Sequence, residues 1–361
     1  MIVQDRAARS SAPAMADENT PLVRDAWYVA CFSPDLVAGE PLARKIAGER
    51  VMLYRRADGT PVALKDRCAH RSYPLSKGQI DGDDVICGYH GLRYGPDGIC
   101  SVVPSQETPP RNLGVAAFAV IEEAPLIWVW AGDRERAQRE PLPSLPWMRA
   151  TSGWDLVTGY LFLKSSYIHM HENLLDLTHI GFLHGKSFGS AAYASAPFET
   201  IVEASAIVVK RTVEPTMLPP LYAEPLGMVD VPAARAVTST FHSPGLSISG
   251  VRLSRLSEPL ERRRYHHAET AHLLTPIDAN SMHYHFLMGR DFAVGDAATG
   301  EFLATSLRNV FLEDRAALEA IADVRSHDPD AAPDRSVASD KAGIAMRRLM
   351  LRLAAAEGAP A

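Results

Sequence analysis

Hydrophobic and polar positions change their period near the middle of the chain. From Trp27 to Trp130 the apolar residues come in short runs, Val51–Tyr54, Val62–Leu64 and Leu126–Trp130 among them, separated by turn residues. Runs of that length predict strands. Asp58-Gly59 between the first two runs predicts a hairpin, because both residues tolerate positive φ. Pro96-Asp97-Gly98 predicts another turn. No long amphipathic helix is legible here, so this half reads as a small all-β domain. Pro141, Pro143 and Pro146 mark a connector. Beyond it the pattern predicts a helical stretch around 168–180, a strand-rich region to about 295 and a helix over 301–322. In that helix Leu303, Leu307, Val310, Phe311, Leu318 and Ile321 follow the 3.6-residue period. The expected division is a disordered lead (1–23), a β domain (24–150), a second domain (151–352) and a flexible tail (353–361).

Composition narrows the classes. The chain has 361 residues, 47% hydrophobic and 22% charged, which excludes a disordered, collagen-like or coiled-coil chain. Lys and Arg number 37 against 43 Asp and Glu, a net charge of −6, so neither nucleic acid nor an anionic membrane is an expected partner. The most apolar run, Val115–Trp130, is broken by Glu122, Glu123 and Pro125 before it could span a bilayer. The N-terminal residues carry no apolar core of a secretory signal. Four cysteines are too few for a disulfide framework. The expected compartment is a reducing cytoplasm, where cysteine pairs point to metal or redox chemistry.

Cys68-Ala69-His70 and Cys87-Gly88-Tyr89-His90 are the most informative pattern. Paired short loops with two Cys and two His make a four-ligand metal site. A zinc finger usually spreads its ligands as CxxC and HxxxH, whereas each loop here supplies one thiolate and one imidazole. A Rieske [2Fe–2S] centre needs that composition, with two thiolates on one iron and two imidazoles on the other. Gly88, Gly91 and Gly95 would let both loops approach the cluster. Cys31 and Cys100 have no such partners and read as small buried side chains.

A second constellation follows at residues 171–184. Asn173, Asp176 and His179 stand at successive i, i+3 steps and would share a helix face. His179 and His184 would lie about 140° apart on a straight helix, so they converge only if the helix ends or distorts between them, with Gly181 as the expected place. Two imidazoles and a carboxylate make a ferrous site with one face open for O2. Asp314, on the apolar stripe of the later helix, is a buried carboxylate in need of a partner. Arg308 or Arg315 could pair with it instead, and Asp176 or Glu172 are alternative carboxylates. Glu313, about 100° round the helix, is expected to be solvated. His179 and His184 could alternatively be hydrogen-bonded core residues.

The two loops, CAHRSYPLSKG and CGYHGLRYGPDG, resemble the Rieske domain of aromatic-ring hydroxylating oxygenases. NLLDLTHIGFLH at 173–184 resembles the iron motif of that family, and NVFLEDRAALEAI at 309–321 resembles the segment carrying its third ligand in single-component demethylating members. The resemblance spans roughly 24–352. It implies an α+β chain: an all-β Rieske domain followed by a helix-grip catalytic domain with an antiparallel sheet and a long C-terminal helix. It implies Cys68, His70, Cys87 and His90 as ligands of a [2Fe–2S] cluster, and His179, His184 and Asp314 as ligands of a mononuclear iron. It assigns Asp176 to a hydrogen-bonded electron route from His179 to His90 of a neighbouring chain, with Asn173 beside it, and His272 to the substrate pocket.

The same resemblance implies a terminal oxygenase that uses O2 and electrons to oxidise an aromatic compound, most often by removing an O- or N-alkyl group as an aldehyde. Hydroxylation without dealkylation is the alternative. A Rieske electron carrier or a helix-grip binding module is the alternative from another class. The chain has no GxGxxG fingerprint, so NAD(P)H oxidation falls to a separate flavin reductase, with or without a ferredoxin. A homotrimer is implied. His169, His171, His283 and His285 read as sheet or pocket side chains, and Arg262–Arg264 with His266 and His267 as a solvated turn or a docking surface for an acidic ferredoxin.

Overall fold

In the computed structural model, which describes residues 15–189, 193, 195–328 and 334–357, the strand runs of the first half build two antiparallel sheets. The larger has the order β1 (Trp27–Phe32), β10 (Leu126–Trp130), β9 (Ala117–Glu123), β4 (Pro61–Lys65), β3 (Glu49–Arg55), β2 (Leu42–Ile46). The β3–β4 hairpin closes where Asp58-Gly59 predicts it, with Arg55 opposite Pro61 and Gly59 at φ +86°. All of β10 is buried, as a continuous apolar run requires. The smaller sheet runs β5 (Gln79–Asp81), β6 (Asp84–Ile86), β7 (Arg93–Tyr94), β8 (Cys100–Val102). One Cys–His loop joins β4 to β5 and the other joins β6 to β7.

The second half forms a seven-stranded antiparallel sheet in the order β11 (Asp155–Leu163), β17 (Ser281–Arg290), β16 (His266–Asp278), β15 (Leu246–Arg255), β14 (Ala233–Ser243), β13 (Ile207–Thr216), β12 (Phe198–Val202). Among the described residues three helices of nine residues or more accompany it: α1 (Tyr167–Leu175), α2 (Ala297–His327) and α3 (Lys341–Ala356). α2 buries Leu303, Leu307, Val310, Phe311 and Leu318. The Phe311 ring meets Phe286 at 4.8 Å and Tyr284 at 5.5 Å, so each anchor contributes about 1.5–3 kcal/mol of burial. Asp314 is on that buried stripe. The halves are tied together by Thr275 Oγ1 donating to the Val29 carbonyl and Ala47 N donating to that of Pro276, both at 2.7 Å.

Several boundaries differ from expectation. α2 starts at Ala297, because Asp296 caps it by accepting from Ala298 N, and it runs past 322 to His327. Its apolar stripe stops at Leu318, and Ile321 is 46% exposed. Residues 1–14 of the expected disordered lead lie outside the described residues, but 15–23 pack: Ala16 is fully buried and its N–H donates to Arg347 O of α3. The expected tail at 353 is helical to Ala356, with Leu353 against the core. Glu357 then accepts from the N–H groups of Arg24 and Asp25, and 358–361 lie outside the described residues. Among the described residues no helix is long and apolar enough to cross a membrane.

Candidate metal centres and cavity

The two Cys–His loops repeat one backbone pattern. Cys68 N donates to Tyr73 O and Ser72 N returns to Cys68 O; Cys87 N donates to Leu92 O and Gly91 N returns to Cys87 O. Ser72 and Gly91 occupy the same place in the two loops, and both have positive φ, +59° and +71°. A Cβ on Gly88 would sit 2.8 Å from the Lys77 carbonyl, so this glycine permits the loops to approach each other. Cys68 and Cys87 are buried, while His70 and His90 are exposed with ring centroids 4.6 Å apart. Burial raises the Cys87 thiol, and the neighbouring Cys68 adds to that. Thiol thus faces thiol and imidazole faces imidazole. A single zinc ion needs all four ligand atoms within about 4 Å of one another. Among the described residues, the group whose ligand atoms close to single-ion distance lies elsewhere. The segregated arrangement suits two irons. Tyr94, which sequence reasoning passed over, is fully buried and places its hydroxyl 3.1 Å from Cys68 Sγ.

His179, His184 and Asp314 are that closing group, with ligand atoms all within 4.8 Å. The expected shared helix face of Asn173, Asp176 and His179 does not form, because α1 ends at Leu175. Asp176 is extended (φ −96°, ψ 96°), and its Oδ1 accepts from Thr178 N at 2.8 Å and Thr178 Oγ1 at 2.6 Å. Such a side-chain bond competes with helix continuation. The chain therefore breaks at Asp176, ahead of Gly181, and a short 3₁₀ turn, His179–Gly181, follows. Both imidazoles then turn to α2. His184 Nε2 lies 3.1 Å and His179 Nε2 3.6 Å from Asp314 Oδ1.

The other ring nitrogens are held by acceptors. His179 Nδ1 donates to the main-chain carbonyl of Asp176, and His184 Nδ1 donates to Glu313 Oε2 at 2.7 Å. Both acceptors require the proton on Nδ1, which leaves the Nε2 lone pairs converging beside the carboxylate. Asn173 Nδ2 donates to Asp314 Oδ1 at 2.9 Å. Burial opposes charge on Asp314, but the His184 hydrogen bond and both imidazoles prevail and hold its pKa below the usual carboxylate range. Burial keeps His179 below the ordinary imidazole value against the pull of Asp314. For His184 burial acts the same way, yet Asp314 and Glu313 prevail and raise it. Two imidazole nitrogens and one ionised oxygen on one side of a buried space fit a ferrous ion, which would take the place of the proton between His184 Nε2 and Asp314.

Three expectations about neighbouring residues change. Glu313 is not merely solvated: it holds His184 and also accepts from Ser187 Oγ at 2.9 Å. An acidic pair on one helix beside a histidine pair was the signal for it. The Asp176 carboxylate does not hold His179; the main-chain carbonyl does, and the side chain serves Thr178. Asn173, expected beside a bridge through Asp176, donates to the metal-site carboxylate of Asp314. Of the alternatives for the third ligand, Glu172 pairs with Arg347 at 3.3 Å.

The triad opens on a cavity lined by Leu177, Phe188, Tyr222, Val251, Phe311 and His272, with other apolar residues. His272 is in the pocket as expected, but both ring nitrogens are occupied, by Tyr284 Oη at 2.7 Å and Ser249 Oγ at 3.0 Å. Burial pushes its pKa down to about 3. His171 is fully buried between Ser247 Oγ and the Pro244 carbonyl, and His169 meets Arg325 at 3.0 Å. His283 meets Tyr160 Oη at 2.8 Å, and the His285 ring is tilted against Tyr160 and edge-on to Phe32. In the basic cluster Arg263 faces Glu214 and His267 faces Asp291.

Comparison with known proteins gives the same two parts. Residues 26–120 match the Rieske [2Fe-2S] domain, and 163–356 match the vanillate O-demethylase oxygenase C-terminal domain. The chain belongs to the Rieske oxygenase family. It is 31% identical to the vanillate O-demethylase oxygenase subunit of Pseudomonas sp. (strain HR199 / DSM 7063), over 92% of this chain and 95% of that one. It is 30% identical to the toluene-4-sulfonate monooxygenase system iron-sulfur subunit TsaM1 of Comamonas testosteroni, over 93% and 98%. Among solved structures, dicamba monooxygenase bound to 3,6-dichlorosalicylic acid superposes with a TM-score of 0.88 at 28% identity, covering 94% of this chain and 100% of that one. The same protein is also known with non-heme iron and dicamba. This oxygenase is accordingly an oxygenase component of a multicomponent system, with a Rieske [2Fe–2S] cluster and a mononuclear iron as its cofactors.

Proposed function

We propose that this oxygenase dealkylates an aromatic ether or amine, oxidising the carbon next to the heteroatom and releasing it as an aldehyde. The convergence of His179, His184 and Asp314 on an apolar cavity, in one chain with a segregated Cys₂His₂ loop pair, carries this reading. Cys68, Cys87, His70 and His90 would hold the cluster, and His179, His184 and Asp314 the mononuclear iron. When bound, these centres supply single electrons and O2 activation. The protein's own residues do the rest. Glu313 and the Asp176 carbonyl fix the tautomers that aim both Nε2 atoms. Asn173 holds the Asp314 carboxylate in place. Leu177, Val251, Phe311 and their neighbours keep water from the reacting carbon, and His272 stays neutral as a lining group.

Electrons come from a partner reductase, directly or through a ferredoxin, because no nucleotide-binding fingerprint stands in this chain. The route to the iron runs between copies in a homotrimer. His70 and His90 are exposed at one end, and Asp176 lines a surface groove of about 730 Å³ at the other, so both ends of a bridge are open to a neighbouring chain. The functional division is 24–150 for the cluster and 151–352 for the catalytic part, with α3 completing the latter. None of the four cysteines is in a disulfide, which suits a cytoplasmic enzyme.

Hydroxylation without dealkylation is the second reading, favoured by the similarity to a toluene-4-sulfonate monooxygenase subunit. Both are tested by supplying NAD(P)H, a surrogate reductase, O2 and a panel of methoxylated and N-alkylated arenes. Formaldehyde formed in step with O2 uptake supports dealkylation. A hydroxylated product with no aldehyde transfers the assignment to the second reading.

A further inference from the structure

Three side chains at the cavity form a hydrogen-bonded chain whose direction follows from counting protons. Ser249 on β15 and His272 on β16 line the cavity, and Tyr284 on β17 is fully buried outside that lining. Tyr284 Oη is 2.7 Å from His272 Nδ1, and His272 Nε2 is 3.0 Å from Ser249 Oγ. Among the described residues the Tyr284 hydroxyl has no other hydrogen-bond partner. A buried hydroxyl proton left without an acceptor is costly, so this one goes to Nδ1. Burial keeps His272 neutral, and a neutral imidazole carries a single proton. That proton is then on Nε2, and it is donated to Ser249 Oγ. A hydroxyl that accepts in this way keeps its own proton to give. Among the described residues Ser249 Oγ has no second partner, and the residue is half-buried on the cavity wall.

The chain from Tyr284 through His272 therefore ends on a donor, Ser249, open to whatever fills the cavity. Each bond polarises the next, so this hydroxyl is a better donor than a lone serine. The rest of the lining decides the charge of the occupant. It contains no Lys or Arg, and away from the metal triad its polar groups are the hydroxyls of Ser249, Thr270 and Tyr222 and the neutral His272. Arg235 lies behind two lining rings, 4.3 Å from the centroid of Phe188 and 5.6 Å from that of Tyr222, with Nε and Nη2 buried, and it presents no donor to the cavity. An anionic group there would lose its water and gain no cation, whereas a neutral acceptor loses less and gains the Ser249 proton.

We propose that the substrate is an electrically neutral arene carrying a hydrogen-bond-accepting oxygen, and that Ser249 recognises this oxygen, with His272 and Tyr284 as the residues that position its proton. The proposal rests on the cavity being the substrate site, as the proposed function has it. Calorimetric binding of 4-methoxyacetophenone, 4-methoxybenzoate and 4-ethylanisole is measured on the iron-loaded enzyme without an electron donor, so that no turnover is needed. The ketone should bind about tenfold or more tightly than the benzoate. Ser249→Ala should weaken the ketone by about three- to tenfold and leave 4-ethylanisole, which has the same shape but no carbonyl, within about twofold. Tyr284→Phe should weaken the ketone selectively as well, because without the Tyr284 proton His272 can carry its own on Nδ1, and Ser249 then gives its proton to Nε2. A structural defect would lower both neutral ligands together. A benzoate that binds the wild-type enzyme as tightly as the ketone overturns the proposal, and that comparison stands even if the variants fail to fold. A ketone affinity unmoved by Ser249→Ala, or a loss shared equally by 4-ethylanisole, overturns it too. Formaldehyde assays separate this inference from dealkylation. Ketone-selective binding with no aldehyde from any compound keeps the neutral site and rejects dealkylation, and aldehyde from a benzoate bound as tightly as the ketone does the reverse.

Discussion

The two metal-ligand sets differ in exposure and in what holds them. The Cys–His loops present His70 and His90 to solvent over buried thiols, and main-chain hydrogen bonds, made twice in the same pattern, shape them. The second set has His184 and Asp314 almost fully buried, and side chains from two distant elements hold it: Glu313 and Asp314 on α2, Asn173 on α1. An electron relay must come within reach of a donor, so its imidazoles belong at the surface. An oxidising centre must exclude water, so its ligands belong inside. The cluster loops are therefore a local device, whereas the second site exists only once the tertiary fold is complete.

The sharpest way to break this comparison is Asp314→Ala. The second metal should be lost and product formation should fall by about a hundredfold or more, while the optical spectrum of the cluster persists. Loss of the cluster spectrum as well would mean that the sites are not independent. Asp176→Asn comes next. Iron content should hold, but turnover should drop severely, because the proposed link between chains passes this side chain; full activity would remove Asp176 from the route.

Legibility from sequence follows the same divide. The cluster ligands could be read because four residues within 23 positions of one another carry the chemistry, and the hairpin and turn signals at Asp58-Gly59 and Pro96-Asp97-Gly98 fall where the chain turns. His179, His184 and Asp314 could be read as candidates from residue type and from the α2 stripe. Their supports could not. Whether Glu313 faces solvent or His184 depends on where a segment 129 residues away is laid down. The helix break moved from Gly181 to Asp176 because a side-chain bond to Thr178, not glycine, ends α1.

Smaller effects sharpen the contrast. Glu313→Gln keeps the shape but weakens the hold on His184 Nδ1, and should lower iron affinity by about 10- to 100-fold without moving the cluster potential. Tyr94→Phe should do the opposite. It removes a donor to Cys68 Sγ, so the cluster potential should fall while the second iron stays bound. Stability against acid tests the buried side. Burial depresses His171 to about 4 and His272 and His285 to about 3, against an ordinary 6.5. The unfolded chain binds protons at these sites before the folded one does, so their contribution is whole above about pH 6.5 and is lost as pH falls toward 4 or 3. Each should cost about 2 kcal/mol at pH 5 relative to pH 7, visible as a denaturant midpoint that drops on acidification. A flat midpoint from pH 7 to 5 would show that these imidazoles are not buried neutral.

Iron and acid-labile sulfide counts on the purified chain bear most directly on the claim that two unlike centres share it. The expected result is about three irons and two sulfides per chain, two of the irons going with the sulfide. Zinc in place of iron with no sulfide, or two irons and two sulfides with nothing at His179, His184 and Asp314 after reconstitution with ferrous iron, would contradict it.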